Sequence, residues 1–191
     1  MPYTLVISEK PSAAKKIAEA LTEDKVQELE KFGVSYYKIK RDGKDLIVVP
    51  AVGHLFVLAE KKTGLEWTYP VFNVEWQPIF EVNKNNTWSE RYFKNIQFLS
   101  KDAKDFISAT DYDTEGSVIA GNILKFICKV GDGKRMKFST LTKEDLVDAS
   151  TGFFVGVWEV IISIILLPLI LILLIYSLYN RPGHVSSISW N

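Results

Sequence analysis

Cysteine is nearly absent from this 191-residue chain, with Cys128 the only one. No intrachain disulfide framework can form, and the composition fits a reducing compartment. A basic surplus is absent too, since 23 Lys+Arg stand against 23 Asp+Glu. Chains that bind nucleic acid usually carry one, so any such contact here must come from local placement of charge. The opening MPYTLVISEK has no basic region backed by an apolar stretch, so no cleavable signal peptide is expected. Charge is also missing from the far end. Residues 1–150 hold 22 of the 23 basic and 22 of the 23 acidic side chains, and the last 41 residues hold only Glu159 and Arg181. The length allows one ordinary domain with an appendage. The charge distribution divides the chain into a domain over 1–150, a hydrophobic helix over 151–180 and a short polar tail over 181–191.

Within the domain, hydrophobic patterning predicts strands alternating with helices. YTLVIS at 3–8 is an apolar, β-branched run suited to a buried strand. The helix predicted next, over 11–21, has Pro11 in its first turn and Ile17, Ala18 and Leu21 on one face. Residues 34–40 alternate like a half-exposed strand, Arg41-Asp-Gly-Lys44 makes a hairpin turn, and 45–52 returns as a strand. A loop region rich in Trp, Tyr and Pro follows to about residue 78, with a further strand over 79–82. Helical spacing recurs over 88–100, and DFISAT at 105–110 reads as a strand. A turn follows at 111–116, then a helix over 118–130, a strand over 135–138 and a helix from 142 whose Thr142 to Asp145 spacing resembles a capping box. No internal repeat interrupts this order. It implies βαβ units, an α/β fold and a mainly parallel sheet.

Ligands of open α/β sheets bind outside the carboxyl ends of the strands, and two of those ends carry acids. Glu9 follows the first strand; Asp111, Asp113 and Glu115 follow DFISAT. In an extended segment, residues i and i+2 face the same way, so Asp111 and Asp113 are expected to face one point, with Glu115 one step on at the helix entrance. Converging carboxylates without His or Cys make an all-oxygen site that favours Mg²⁺. Grouped acids also repel one another unless a cation neutralises them, and a divalent ion there can stabilise charge as a P–O bond breaks. The competing reading is that acids before a helix serve as caps and dipole partners, and that a D-x-D-x-E string is a surface coincidence.

Read as text, five strings occur in one order: SEKPSAAKKIAEAL at 8–21, PAVGHLF at 50–56, YPVFNVEW at 69–76, ATDYDTEG at 109–116 and RMKFSTLTKEDL at 135–146. Together they resemble the amino-terminal part of type IA DNA topoisomerases, of the archaeal topoisomerase I and bacterial topoisomerase III kind, over about residues 3–149. The resemblance implies the Toprim fold, a mostly parallel sheet flanked by helices. It implies Glu9 as a candidate general acid beside the scissile phosphate and Lys10 as a phosphate contact, both catalytic. Asp111, Asp113 and Glu115 are implied as Mg²⁺ ligands, a single-stranded segment of DNA as partner and the cytoplasm as location. His54 and Arg135 lie in family-typical segments as possible DNA or phosphate contacts, although a histidine after a strand is commonly a structural hydrogen-bonding residue. The family usually has a second acid after Gly116, where Ser117 stands here. None of the eight tyrosines lies in the family's nucleophile motif, so the chain is expected to be inactive alone in cutting and resealing a strand.

The resemblance stops after Ala149. Residues 160–178 contain seven Ile, seven Leu and one Val, side chains that favour membrane insertion by roughly 5–9 kcal/mol together. The stretch predicts a single transmembrane-like helix and possible membrane association. Pro168 falls mid-span and Trp158, Tyr176 and Tyr179 near the ends, as interfacial aromatics do. A buried soluble helix is the alternative, and an interrupted reading frame would also place such a run here. The functional alternatives are a membrane-tethered Toprim module that binds or nicks DNA, and a non-catalytic remnant. Lys15 and Lys16 add to a basic cluster near the strand ends or form a solvated helix face.

Overall fold

A computed structural model describes residues 2–61 and 73–152, together with 172–173 and 175–176. Its elements run β1 Tyr3–Ser8, α1 Pro11–Leu21, β2 Gln27–Lys31, β3 Val34–Arg41, β4 Lys44–Pro50, β5 Phe56–Glu60, β6 Val74–Pro78, α2 Ile79–Val82, α3 Thr87–Ser100, β7 Ala103–Ala109, α4 Thr114–Asn122, β8 Lys134–Arg135 and α5 Lys143–Thr151. Six strands form one sheet in the order β2-β3-β4-β1-β7-β8. β4, β1, β7 and β8 are parallel, while β2 and β3 run antiparallel at one edge. A separate antiparallel pair joins β5 and β6.

β1 is central because its side chains can be buried on both faces. Val6 enters a core shared with Ile17, Leu21 and Leu146 of α1 and α5. Leu5 and Ile7 enter a second core with Ile96, Leu99, Ile119 and Ile123 on the α3–α4 side. That two-sided burial explains the unbroken apolar run, which is the signature of a covered parallel strand. α1 begins as its sequence predicts, with Pro11 at the first helical position after an extended Lys10.

Five sequence expectations are corrected. Residues 79–82 form the helical turn α2 and not a strand: after Pro78 the chain closes Asn83 N–H onto Ile79 C=O at 2.8 Å, and four residues, three of them apolar, are too few for periodicity to distinguish the two. β2, QELEK, was outside every predicted element because it is an exposed edge strand whose charged side chains hide any alternation. The predicted 53–78 loop contains β5 and β6. The helix expected over 118–130 starts earlier, at Thr114, and loosens into π-helical turns over Ile123–Cys128 before Lys129 turns left-handed at φ 59°. Of the strand expected over 135–138, only Lys134–Arg135 pairs with β7.

The hydrophobic segment 151–180 lies outside the described residues except for Thr151, Gly152, Ile172, Leu173, Ile175 and Tyr176, the last four of which are helical and exposed. No helix among the described residues is long and apolar enough to cross a membrane.

α5 carries the predicted cap with a change of partners. Thr142 accepts from the Asp145 N–H. The Asp145 carboxylate reaches further back, accepting from the N–H groups of Ser139 and Thr140 at 2.9 and 2.6 Å. Those backbone donors hold the Asp145 carboxyl below its ordinary value. A lowered carboxyl favours the fold above the ordinary aspartate range, and that contribution is lost as pH falls through the lowered value. Thermal unfolding followed between pH 6 and the acid limb, on the order of pH 3, should therefore show a smaller acid loss in Asp145→Asn than in the wild type. Equal losses would remove Asp145 from the acid response.

Candidate active site

β1 and β7 are hydrogen-bonded neighbours in register from Thr4↔Asp105 to Ser8↔Ala109. Parallel pairing therefore delivers Glu9 and the segment from Thr110 side by side at the carboxyl ends of the strands, where open α/β sheets bind ligands. Glu9 is buried, and its backbone carbonyl accepts from Gly53 N–H at 3.1 Å, which stitches the loop after β4 to the same end. Lys10 places its ammonium 3.0 Å from Glu9 Oε1 and 3.6 Å from Asp111 Oδ2. One positive charge thus sits between two carboxylates that follow the ends of adjacent strands. The hydrogen bond Lys10 donates to Glu9, then the charges of Glu9 and Asp111, raise the Lys10 pKa above its ordinary value, so the ammonium stays charged.

The other two acids take other partners. Asp113 is the N-cap of α4, its Oδ1 accepting from Gly116 N–H at 2.7 Å. Glu115 Oε1 lies 3.3 Å from His54 Nε2, which the left-handed Gly53 (φ 70°) brings round from β4. The expectation that Asp111 and Asp113 face one point assumed an extended chain. Instead the segment folds on itself, with Asp113 N–H donating to Asp111 C=O at 2.9 Å, so the alternation is broken. Among the described residues, no three Asp, Glu, His or Cys side chains are grouped closely enough to hold a metal ion. The donor set still suits Mg²⁺, which needs one or two carboxylates and fills its remaining positions with water and phosphate. Glu9 and Asp111 already bracket one cationic centre, the Lys10 ammonium.

The loop carrying Asp111 is fixed from three sides. Thr110 Oγ1 donates to Gly116 C=O at 2.8 Å, and Ser117 Oγ donates to Asp113 C=O at 2.6 Å. The serine standing where an acid is usual in the resembling family is fully buried in this role. Arg135 Nη2 donates to Asp111 C=O at 2.6 Å, and its guanidinium lies 5.0 Å from the centre of the Tyr112 ring. Arg135 is 1% exposed, and its Nε and Nη1 have no hydrogen-bond partner among the described residues; burial lowers its pKa. Lys137 sits over the same ring at 5.1 Å. Beside them an open groove of about 320 Å³ runs along Asp111, Tyr112, Asp113, Lys137, Ser139 and Thr140. Burial pushes the Cys128 thiol up to about 12, which leaves it inert as a nucleophile.

Sequence reasoning placed Glu9, Lys10 and Asp111 at one end of the sheet, and the structure brings those three together. It missed Tyr112, whose ring packs on a cation that only the β7–β8 pairing brings near. It also gave Gly116 no role beyond the motif. A Cβ on Gly116 would stand 2.2 Å from Asp111 C=O, a distance at which the backbone must move. Gly116→Ala is expected to cost about 1–3 kcal/mol as an overpacking change in denaturant unfolding, and to shift the backbone resonances of Asp111. Unchanged stability and spectra would show that the loop has slack.

Known proteins are similar to this chain over the same region. A model of the Toprim domain matches residues 4–141. DNA topoisomerase 1 of Pyrococcus furiosus is 51% identical over 147 residues, covering 76% of this chain and 14% of that protein. DNA topoisomerase 1 of Methanocaldococcus jannaschii is 48% identical over 145 residues, covering 76% and 19%. The full-length topoisomerase I structure from Thermotoga maritima aligns at 21% identity and TM-score 0.49, over 78% of this chain and 20% of that one. The chain thus spans about a fifth or less of the length of these relatives. The chain belongs to the Toprim domain family, its Toprim region being that of a type IA topoisomerase-like protein.

Proposed function

We propose that residues 1–150 are the metal- and phosphate-handling part of an enzyme that cuts and reseals one strand of DNA, the activity named for the topoisomerase relatives. The Lys10 ammonium between Glu9 and Asp111 carries this reading, because it marks a position where two fixed carboxylates converge on positive charge at the carboxyl end of the sheet. Asp111, across from Glu9, would hold Mg²⁺, which supplies neutralisation of phosphate charge when bound; the metal role that the resemblance implies for Asp113 and Glu115 requires Asp113 to leave the α4 cap and Glu115 to leave His54. Lys10, exposed and charged, contacts a phosphodiester oxygen. Glu9, buried beside it, stands where it can hold a proton for the oxygen that leaves phosphorus. Arg135 keeps the Asp111 carbonyl in place, and the Lys137 ammonium adds positive charge to the groove along Asp111, Tyr112, Asp113, Ser139 and Thr140. His54 positions Glu115. A DNA-processing role carries with it a cytoplasmic placement for the domain.

The nucleophilic tyrosine is not among this chain's residues on this reading, so the chain alone binds Mg²⁺ and single-stranded DNA without relaxing supercoils. Calorimetric titration of Mg²⁺ into the purified chain, compared with Asp111→Asn, tests it. The expected result is saturable binding weakened about tenfold or more in the variant, with no relaxation of supercoiled plasmid by either protein. Binding that ignores Asp111, or relaxation by the chain alone, would contradict the proposal. The composition of 151–180 supports a membrane-directed tail. In the same preparations the tail should make the chain partition with lipid vesicles, and a chain ending at residue 150 should not; equal partitioning would remove that role.

A further inference from the structure

Two hairpins of the main sheet close with two-residue turns in which both central residues have positive φ. Between β3 and β4 these are Asp42 (51°) and Gly43 (68°); between β2 and β3 they are Phe32 (55°) and Gly33 (74°). Asp-Gly is a preferred pair for such a turn. Phenylalanine is not, because a bulky side chain at positive φ is an outlier. Sparsely populated backbone of this kind collects where a surface is used, and the neighbouring hairpin shows that the same sheet can close its turns without it.

The Phe32 side chain is 44% exposed and meets Phe98 of α3, itself 42% exposed, edge to face with ring centroids 6.3 Å apart. The Lys31 ammonium lies 5.6 Å from one ring centre and 4.6 Å from the other. Arg91 approaches from α3, its Nη1 3.6 Å from where a Gly33 Cβ would stand. Arg91 and Phe98 are seven residues apart and so share a helix stripe. Two open aromatic rings and two cations therefore occupy one surface, the combination that binds single-stranded nucleic acid by stacking bases and attracting phosphates.

Register places this surface relative to the acids. Ser8 pairs with Pro50, Tyr37 with Val48 and Lys31 with Val34, so the Phe32–Gly33 tip is at the sheet end where β1 delivers Glu9. The Asp42–Gly43 turn is at the opposite end. Neighbouring strands are about 4.8 Å apart, which puts β3 about 10 Å across the sheet from β1, a distance that a few nucleotides span.

We propose that Phe32 and Phe98, with Lys31 and Arg91, form a stacking subsite for a base of single-stranded DNA outside the segment held at Glu9, Lys10 and Asp111. The choice of ligand rests on the function proposed above; the subsite itself rests on the rings and cations. The test is fluorescence anisotropy of labelled oligothymidine with the full chain at low salt, beside an abasic strand of equal length. Phe32→Asn suits the turn better and should unfold no earlier than the wild type, yet bind oligothymidine about 5- to 150-fold more weakly. Phe98→Leu, which keeps an apolar side chain but no flat face, should show the same direction of loss. In both variants the wild-type preference for oligothymidine over the abasic strand should shrink. If both variants fold and bind within about twofold of the wild type, the subsite is overturned. A wild type that binds neither strand overturns the DNA reading as well, so the two failures are distinguishable.

Discussion

Two carboxylates held within reach of one ammonium set the terms for the rest of this molecule. Like charges on neighbouring strands repel, and a fold that delivers them together needs positive charge at the same point. Lys10 supplies it at 3.0 and 3.6 Å. The arrangement depends on β1 and β7 being parallel and adjacent, which in turn depends on β1 being apolar on both faces. A polar residue at Leu5, Val6 or Ile7 would enter one of the two cores and disturb the pairing that aligns Glu9 with Asp111.

The second constraint is steric. The chain turns from β7 into α4 so tightly that Gly116 packs against the Asp111 carbonyl, leaving no room for a Cβ. The same carbonyl accepts from buried Arg135. Position 111 is therefore determined by the helix start on one side and by the edge strand β8 on the other. The Asp111 backbone is held while its carboxylate is exposed to solvent, which suits a group that must exchange one cationic partner for another.

Much of this was legible in the sequence, and the failures have physical causes. β1, α1, β3, β4, α3 and β7 announce themselves because apolar periodicity and turn residues agree at each of them. Glu9, Lys10 and Asp111 were legible because strand ends can be counted once strands are known. β2 was not, since Glu28, Glu30 and Lys31 lie on an edge where no hydrophobic pattern is required. α2 was misread because four residues, three of them apolar, do not define a period. Asp113 was expected to face the same point as Asp111, but capping α4 turned it aside, an outcome that the competing reading of D-x-D-x-E had described. Tyr112 on Arg135 and Phe32 on Phe98 are contacts between elements far apart in the chain, so local spacing carries no trace of them.

The most direct test is paramagnetic broadening by Mn²⁺, an ion with oxygen-ligand preferences similar to those of Mg²⁺, in the amide NMR spectrum of the chain. Substoichiometric Mn²⁺ should broaden the amides of Glu9, Lys10 and the 111–116 loop first and leave the Asp42–Gly43 turn sharp. Broadening centred on any other part of the domain, or spread evenly over it, would contradict the claim that Glu9 and Asp111 together define a cation site.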